Sequence, residues 1–248
     1  MASLKIRLDL LLVERGYAST RERAQALIMA GKVFVNNSLE DKPGMKLLPN
    51  VPIFLKEADF PFVSRGALKL EAILVEEKID VTDWICIDVG ASTGGFTDCL
   101  RQRGAKKIYA VDVGYGQMAW ELRNDNRVIV IERTNIRYME KNVIPELLDL
   151  AVIDTSFISL KIVVPSVLKF LKKNALILAL IKPQFEVGKG MFGKGGVVRD
   201  STLHKMVIES LWQFFSDQGL IPQKVLPSPI LGPKGNKEFI ISLRFPGS

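Results

Sequence analysis

The stretch Ile87-Asp88-Val89-Gly90-Ala91-Ser92-Thr93-Gly94-Gly95-Phe96-Thr97 decides the fold of this chain. A run from Trp84 to Asp88 reads as a strand ending in an acid. A glycine-rich turn follows, and then a helix is expected from Gly95 to Arg103. Glycines let a backbone approach a ligand closely and adopt angles that other residues resist. Outward from this turn the pattern alternates. A helix is expected over Ala67 to Glu77, and strands over Lys107 to Asp112, Val128 to Glu132, Leu150 to Asp154, Ala175 to Ile181 and Phe239 to Arg244. Strands alternating with helices imply an α/β fold with a mostly parallel sheet covered on both faces.

Ligands of such sheets bind beyond the carboxyl ends of the strands. Two cofactors suit the outline, a dinucleotide and S-adenosylmethionine. A dinucleotide loop wants Gly-x-Gly-x-x-Gly, and here the middle position is Ser92. Asp88 at the head of the loop would repel a pyrophosphate but suits a ligand with an amino group and a sulfonium. The set Asp88, Gly90, Ala91, Ser92, Gly94, Gly95 and Phe96 therefore favours the methyl donor. Asp112, with Val113 beside it, ends the next strand at the right distance to accept from ribose hydroxyls. Asn135, in Thr134-Asn135-Ile136, is placed to border an adenine ring.

Residues 1–59 form a separate small module, with 60–66 as a linker punctuated by Pro61 and Gly66, and 67–248 as the large domain. In the module, Leu8, Leu11 and Leu12 fall at helical spacing, with Gly16 to stop the helix. Ser19 and Glu22 have capping-box spacing before a second helix that ends at Gly31. Val33-Phe34-Val35, the turn pair Asn36-Asn37 and a further extended stretch read as a hairpin.

Formal net charge is +7, which suits a polyanionic partner. Eight basic residues stand between Lys169 and Lys205 against Glu186 and Asp200. His204 is the one histidine, and Cys86 and Cys99 lack zinc-type spacing, so neither a metal site nor a Ser-His-Asp triad assembles from these types. The cysteines read as reduced, buried thiols of a cytoplasmic protein. Arg7 and Asp9 interrupt the apolar residues at the start, so no secretory signal is expected. The longest apolar run, Ala175 to Ile181, is too short to span a bilayer.

Four charged residues stand out at element ends: Lys69, Asp154, Lys182 and Glu238. Around them, Ser64-Arg65-Gly66-Ala67-Leu68-Lys69-Leu70, the loop Asp88 to Thr97, Ile153-Asp154-Thr155-Ser156-Phe157, Ile181-Lys182-Pro183-Gln184-Phe185-Glu186 and Gly235-Asn236-Lys237-Glu238-Phe239 resemble the motifs of the TlyA family, in order and over nearly the whole chain. Arg7-Leu8-Asp9, Arg21-Glu22-Arg23-Ala24 and Ile28 to Asn36 resemble an S4 RNA-binding domain.

The resemblance implies a small α+β S4-like module before a Rossmann-like, seven-stranded methyltransferase domain of FtsJ type. It implies a catalytic tetrad of Lys69, Asp154, Lys182 and Glu238, S-adenosylmethionine as cofactor, and 2′-O-methylation of cytidines in ribosomal RNA. Asp154 is expected to border the cofactor as well. RNA contacts are expected at Arg7, Arg21, Arg23, Lys32 and Arg65, and at Lys189 and Lys194 in the glycine-rich segment from Pro183 to Asp200. The partners are ribosomal subunits or assembling particles, with no membrane. A membrane-active haemolysin and a non-catalytic RNA-binding assembly factor are the alternatives.

The residue types suit the chemistry. A ribose hydroxyl is a poor nucleophile, and an ordinary lysine is charged at neutral pH. Lys182 is expected to steer and deprotonate the hydroxyl, with Lys69 tuning it and the two carboxylates orienting both lysines.

Overall fold

The computed structural model describes residues 5–15, 17–18, 20–36, 38–55, 62–187 and 196–247. The chain divides into two compact units, Met1–Pro61 and Phe62–Ser248.

In the first unit, α1 (Leu8–Glu14) and α2 (Arg21–Met29) follow a short strand β1 (Ile6–Arg7). The apolar residues of the two helices, Leu8, Leu11, Leu12, Ala24 and Ile28, bury against Val33, Val35 and Ile53. β2 (Val33–Val35) pairs antiparallel with β3 (Ser38–Leu39) and β5 (Ile53–Leu55), while β4 (Lys46–Leu47) pairs with β1. Asn36, at φ 50°, makes the turn between β2 and β3. The cap of α2 is Thr20, whose side chain accepts from Arg23 N, one residue later than the Ser19–Glu22 spacing suggested. A hydroxyl caps the helix by reaching the amide three residues on, and from Thr20 that amide belongs to Arg23. Gly16 and Ser19 lie outside the described residues.

The second unit is built on a seven-stranded sheet. Its elements are α3 (Ala67–Glu76), β6 (Ile85–Val89), α4 (Gly95–Gln102), β7 (Lys107–Val111), α5 (Trp120–Arg123), β8 (Val128–Ile131), β9 (Leu148–Ile153), α6 (Leu160–Val167), β10 (Leu171–Ile181), α7 (Pro183–Glu186), α8 (Ser201–Asp217), β11 (Ile221–Pro227) and β12 (Phe239–Arg244). The strand order is β11-β12-β10-β9-β6-β7-β8. The five from β10 to β8 run parallel, and β12 is antiparallel to both its neighbours. Two apolar layers cover the sheet, one around Val163, Phe170 and Phe215 and the other around Leu70, Leu74 and Leu100.

The sequence pattern missed β11. It is an edge strand with partly exposed residues and carries Pro222 and Pro227, which suit an edge because they donate no ladder hydrogen bond. Phe62 and Val63, which the sequence placed in the linker, pack on the second core, and Val63 N donates to Asp98 Oδ2 at 2.8 Å. No helix among the described residues is long and apolar enough to cross a membrane.

Candidate active site

The chain runs from β6 to β7 and β8 on one side and then returns to place β9 on the other side of β6. That reversal opens a crevice beyond the carboxyl ends of β6 and β9. The glycine loop and Asp154 meet there. Gly90 has φ +87°, and a Cβ on it would stand 2.5 Å from the Asp154 carbonyl oxygen, so the loop rests on the backbone of β9's end. Gly90 N and Ala91 N both donate to Val111 O, and Asp154 N donates to Val89 O. A side chain at Gly95 would collide with Ser64 Oγ and crowd Ala67 N. The start of α4 thereby docks on the start of α3, whose first turn carries Lys69.

The four charged residues come together at this edge. β12 runs antiparallel, so its beginning lies level with the end of β10, Phe239 opposite Ile181. This brings Glu238 to the same edge as Lys182. Lys69 Nζ lies 2.8 Å from Glu238 Oε2 and 3.5 Å from Asp154 Oδ2. Lys182 Nζ lies 2.6 Å from Asp154 Oδ1 and donates to Ser156 Oγ at 3.0 Å. The charges alternate along one line, Glu238, Lys69, Asp154, Lys182, with Asp154 shared by both lysines. Lys69, Lys182 and Glu238 are buried and Asp154 is partly open. Both Glu238 oxygens and Asp154 Oδ1 are buried without an aligned hydrogen bond, so the lysines meet them as ion pairs. Removing one member of such a chain leaves its partner's charge uncompensated, which costs several kcal/mol.

The crevice is lined by Lys69, Asp154 and Lys182 and by Asp88, Gly90, Ala91, Ser92, Gly95 and Phe96 of the expected cofactor set. Ser64, Thr93 and Ser156 line it too and were not singled out from the sequence. Gly94, Asp112, Val113 and Asn135 are not among its lining residues. Gly94, at φ +96°, opens α4. Asp112 braces the loop, with Oδ2 accepting from Ser92 N at 2.7 Å and Oδ1 from Gly114 N at 2.6 Å. Asn135 Oδ1 accepts from Arg137 N, and Val113 is exposed.

Asp88 is fully buried, and burial pushes its carboxyl up to about 7. Its Oδ2 accepts from Thr97 Oγ1 at 2.7 Å, while Oδ1 has no partner. A buried acceptor without a donor is an unmet demand, and an amino group would meet it. Ser92 takes φ +49° where a dinucleotide loop would carry glycine. The residues present thus fit an amino-bearing methyl donor better than a pyrophosphate. Among the described residues, no group of three or more His, Cys, Asp or Glu side chains is arranged to hold a metal ion.

Residues 62–245 match the family model of the FtsJ-like methyltransferases, and residues 6–53 match that of the S4 domain. The chain belongs to the TlyA family of FtsJ-like methyltransferases. YqxC of Bacillus subtilis, named for rRNA methylation, is 48% identical over 100% of this chain and 88% of its own length. The 16S/23S rRNA (cytidine-2′-O)-methyltransferase TlyA of Mycobacterium tuberculosis is 43% identical, over 97% of this chain and 90% of its own. A hemolysin-named protein of known structure from Streptococcus thermophilus is 43% identical, with a TM-score of 0.77, covering 100% of this chain and 90% of that one.

Further features of this methyltransferase domain surround the lysines. Phe157 has φ +64°, an outlier for a bulky residue, and is 89% exposed. It follows Ser156 directly and packs against Phe185 in a tilted pair with ring centroids 4.9 Å apart. Phe157 has no assigned role in the sequence motif that contains it; an aromatic directly after Ser156 in a strand-end loop was the available signal. Glu186 is partly buried, and burial raises its carboxyl above the usual range. It accepts from Ser159 Oγ at 2.6 Å and Leu160 N at 2.8 Å, tying the turn after Lys182 to the start of α6.

Of the expected RNA contacts, Arg21, Arg23 and Arg65 are exposed and Arg7 and Lys32 half-buried. Arg65 also donates to Leu231 O at 3.3 Å. Lys189 and Lys194 lie outside the described residues. Arg15, another basic residue of the first unit, donates to the carbonyls of Val51 and Pro49, which ties the module together internally.

Proposed function

We propose that this chain methylates the 2′-hydroxyl of cytidine ribose in ribosomal RNA, with S-adenosylmethionine as donor. The observation that carries the proposal is Lys182. Its ammonium is buried between Asp154 and Ser156 in the crevice that the glycine loop also lines. The names of the M. tuberculosis and B. subtilis relatives support the same substrate class.

When bound, the cofactor supplies an electrophilic methyl on a sulfonium. Asp88 and the loop Gly90 to Gly95 would hold it, with Asp88 Oδ1 free to accept from its amino group. The chain's own residues do the rest. Lys182 steers the ribose hydroxyl and takes its proton. For that step Lys182 must be in its neutral form, its own proton lost to solvent, and Asp154 Oδ1, at 2.6 Å, holds the nitrogen in place. Lys69, held by Glu238, keeps a positive charge beside the oxygen as it becomes negative. Placing the oxygen in line with the methyl supplies a large part of the rate. Phe157, exposed beside this centre, offers a face on which a base turned out of the RNA can stack. The S4 module adds affinity through phosphates, in ribosomal subunits or assembling particles of the cytoplasm.

The test is transfer of tritiated methyl to separated ribosomal subunits from cells lacking the enzyme, followed by mapping. Label on a cytidine ribose, seen as an alkali-resistant linkage, is the expected result. Label on a base, or none on either subunit, would refute the proposal.

A further inference from the structure

At the edge of the sheet opposite the crevice, where the parallel strands begin, the second unit holds another cavity, of about 690 Å³. Trp84, just ahead of β6, is half-buried and forms an apolar wall. Lys172, Lys173 and Asn174 reach the cavity from the start of β10, and Arg244 from the end of β12. Lys224 of β11 and Lys78, just after α3, complete its basic lining.

Two backbone irregularities bring cations there. The register of β10 against β9 shifts between Leu171 and Leu176, and such a bulge re-aims side chains. Lys172, Lys173 and Asn174 thereby line the cavity in a row, with Asn174 at φ +63°. Lys78 stands at φ +53° where α3 closes, with Lys78 N donating to Val75 O and Ile79 N to Leu74 O. Glycine is the usual residue at this left-handed cap, so a lysine is held there against its backbone preference.

The acids of the lining already have donors. Asp149 accepts from Lys172 Nζ at 2.7 Å and from Ile85 N at 2.9 Å. Asp80 accepts from Thr82 N and Oγ1, and Glu77 from Ser242 Oγ at 2.9 Å. Lys224 is paired with Glu76. Among the described residues, Lys78 and Lys173 meet no carboxylate and the Trp84 indole N–H meets no acceptor. Arg244 reaches only Asn174 O, at 3.5 Å. What the cavity leaves over is therefore donors and one aromatic face. An anion meets the donors through charge-assisted hydrogen bonds, and a flat ring stacks on an indole.

We infer that this cavity is a nucleoside phosphate site, with the base on Trp84 and the phosphate held by Lys78, Lys173 and Arg244. Its residues take no part in methyl transfer, so the site stands whether or not the proposed reaction does. A free nucleotide and a nucleotide within an RNA strand share this chemistry.

The test titrates the full chain with cytidine 5′-monophosphate, guanosine 5′-monophosphate, a short single-stranded oligoribonucleotide and inorganic phosphate, by calorimetry and tryptophan fluorescence. Saturating S-adenosylhomocysteine is present throughout, to compete for the crevice. Lys173→Ala and Arg244→Ala change exposed side chains, so melting should stay at the parent value. Each is expected to weaken nucleotide binding about tenfold. Trp84→Phe keeps a ring on the wall and should abolish the fluorescence change, which separates this site from Trp120 and Trp212. Binding of a monophosphate with these sensitivities marks a site for free nucleotides. The same sensitivities with the oligoribonucleotide alone mark a site for a nucleotide within RNA. Binding of neither, binding indifferent to Lys173→Ala and Arg244→Ala, or a fluorescence change that survives Trp84→Phe would overturn the site. Inorganic phosphate held as tightly as the nucleotides would overturn it as well.

Discussion

Gly232 sits where an added Cβ would overlap the Glu238 carboxylate. That carboxylate is the buried end of a flexible side chain, so Gly232→Ala can be accommodated by turning it away. That turn breaks the buried ion pair, so the fold is weakened and Lys69 loses its 2.8 Å partner. We expect a fall in kcat of about tenfold or more, worth ~1.4 kcal/mol of transition-state stabilisation. Melting should fall while cofactor affinity stays unchanged; single-turnover kinetics with calorimetry checks this.

Asp88 gives a signed pH dependence. Its carboxyl is raised from the usual 3.8 to about 7 by burial. Folding therefore disfavours its ionised form: the penalty is absent below pH ~4 and complete above pH ~7, and stability falls as pH rises through that window. A cofactor ammonium that donates to Oδ1 prefers the ionised form, so affinity should rise from pH 6 to pH 8. Calorimetry should show that rise in the parent and not in Asp88→Asn. The acid at position 88 was legible in the sequence because it ends an apolar run before glycines. Its raised carboxyl was not, since that comes from burial under the packed loop, which the Thr97 hydrogen bond only partly offsets.

At the scale of elements, Glu186 joins α7 to the start of α6 and so fixes the turn that follows Lys182. Glu186→Ala leaves Ser159 Oγ and Leu160 N without their acceptor, a loss of about 1–3 kcal/mol readable by urea denaturation. Turnover should fall with it, as the turn loosens. Periodicity showed β6 to β10 and β12 because their residues are apolar in runs or alternate. It missed β11 because an edge strand with prolines does neither. Pattern alone could not show that β12 runs antiparallel, and that reversal is what carries Glu238 to the edge where Lys182 ends β10. Lys69, Asp154, Lys182 and Glu238 could thus be picked out as odd charges and grouped by resemblance. Their order as one alternating line, and Ser156 at its end, needed the packed sheet.

For the whole molecule, the net charge of +7 and the exposed arginines of the first unit imply binding dominated by phosphates. Affinity for ribosomal subunits should fall by about 100-fold or more between 50 and 200 mM salt, while cofactor affinity changes little over the same range. The central claim is that the lysine and carboxylate line converts a bound cofactor and a bound RNA into ribose methylation. It is tested most directly by Lys182→Ala, measured for methyl transfer under saturating cofactor and subunits. The variant should bind both normally and lose nearly all transfer, and full transfer by a variant that binds both normally would contradict the claim.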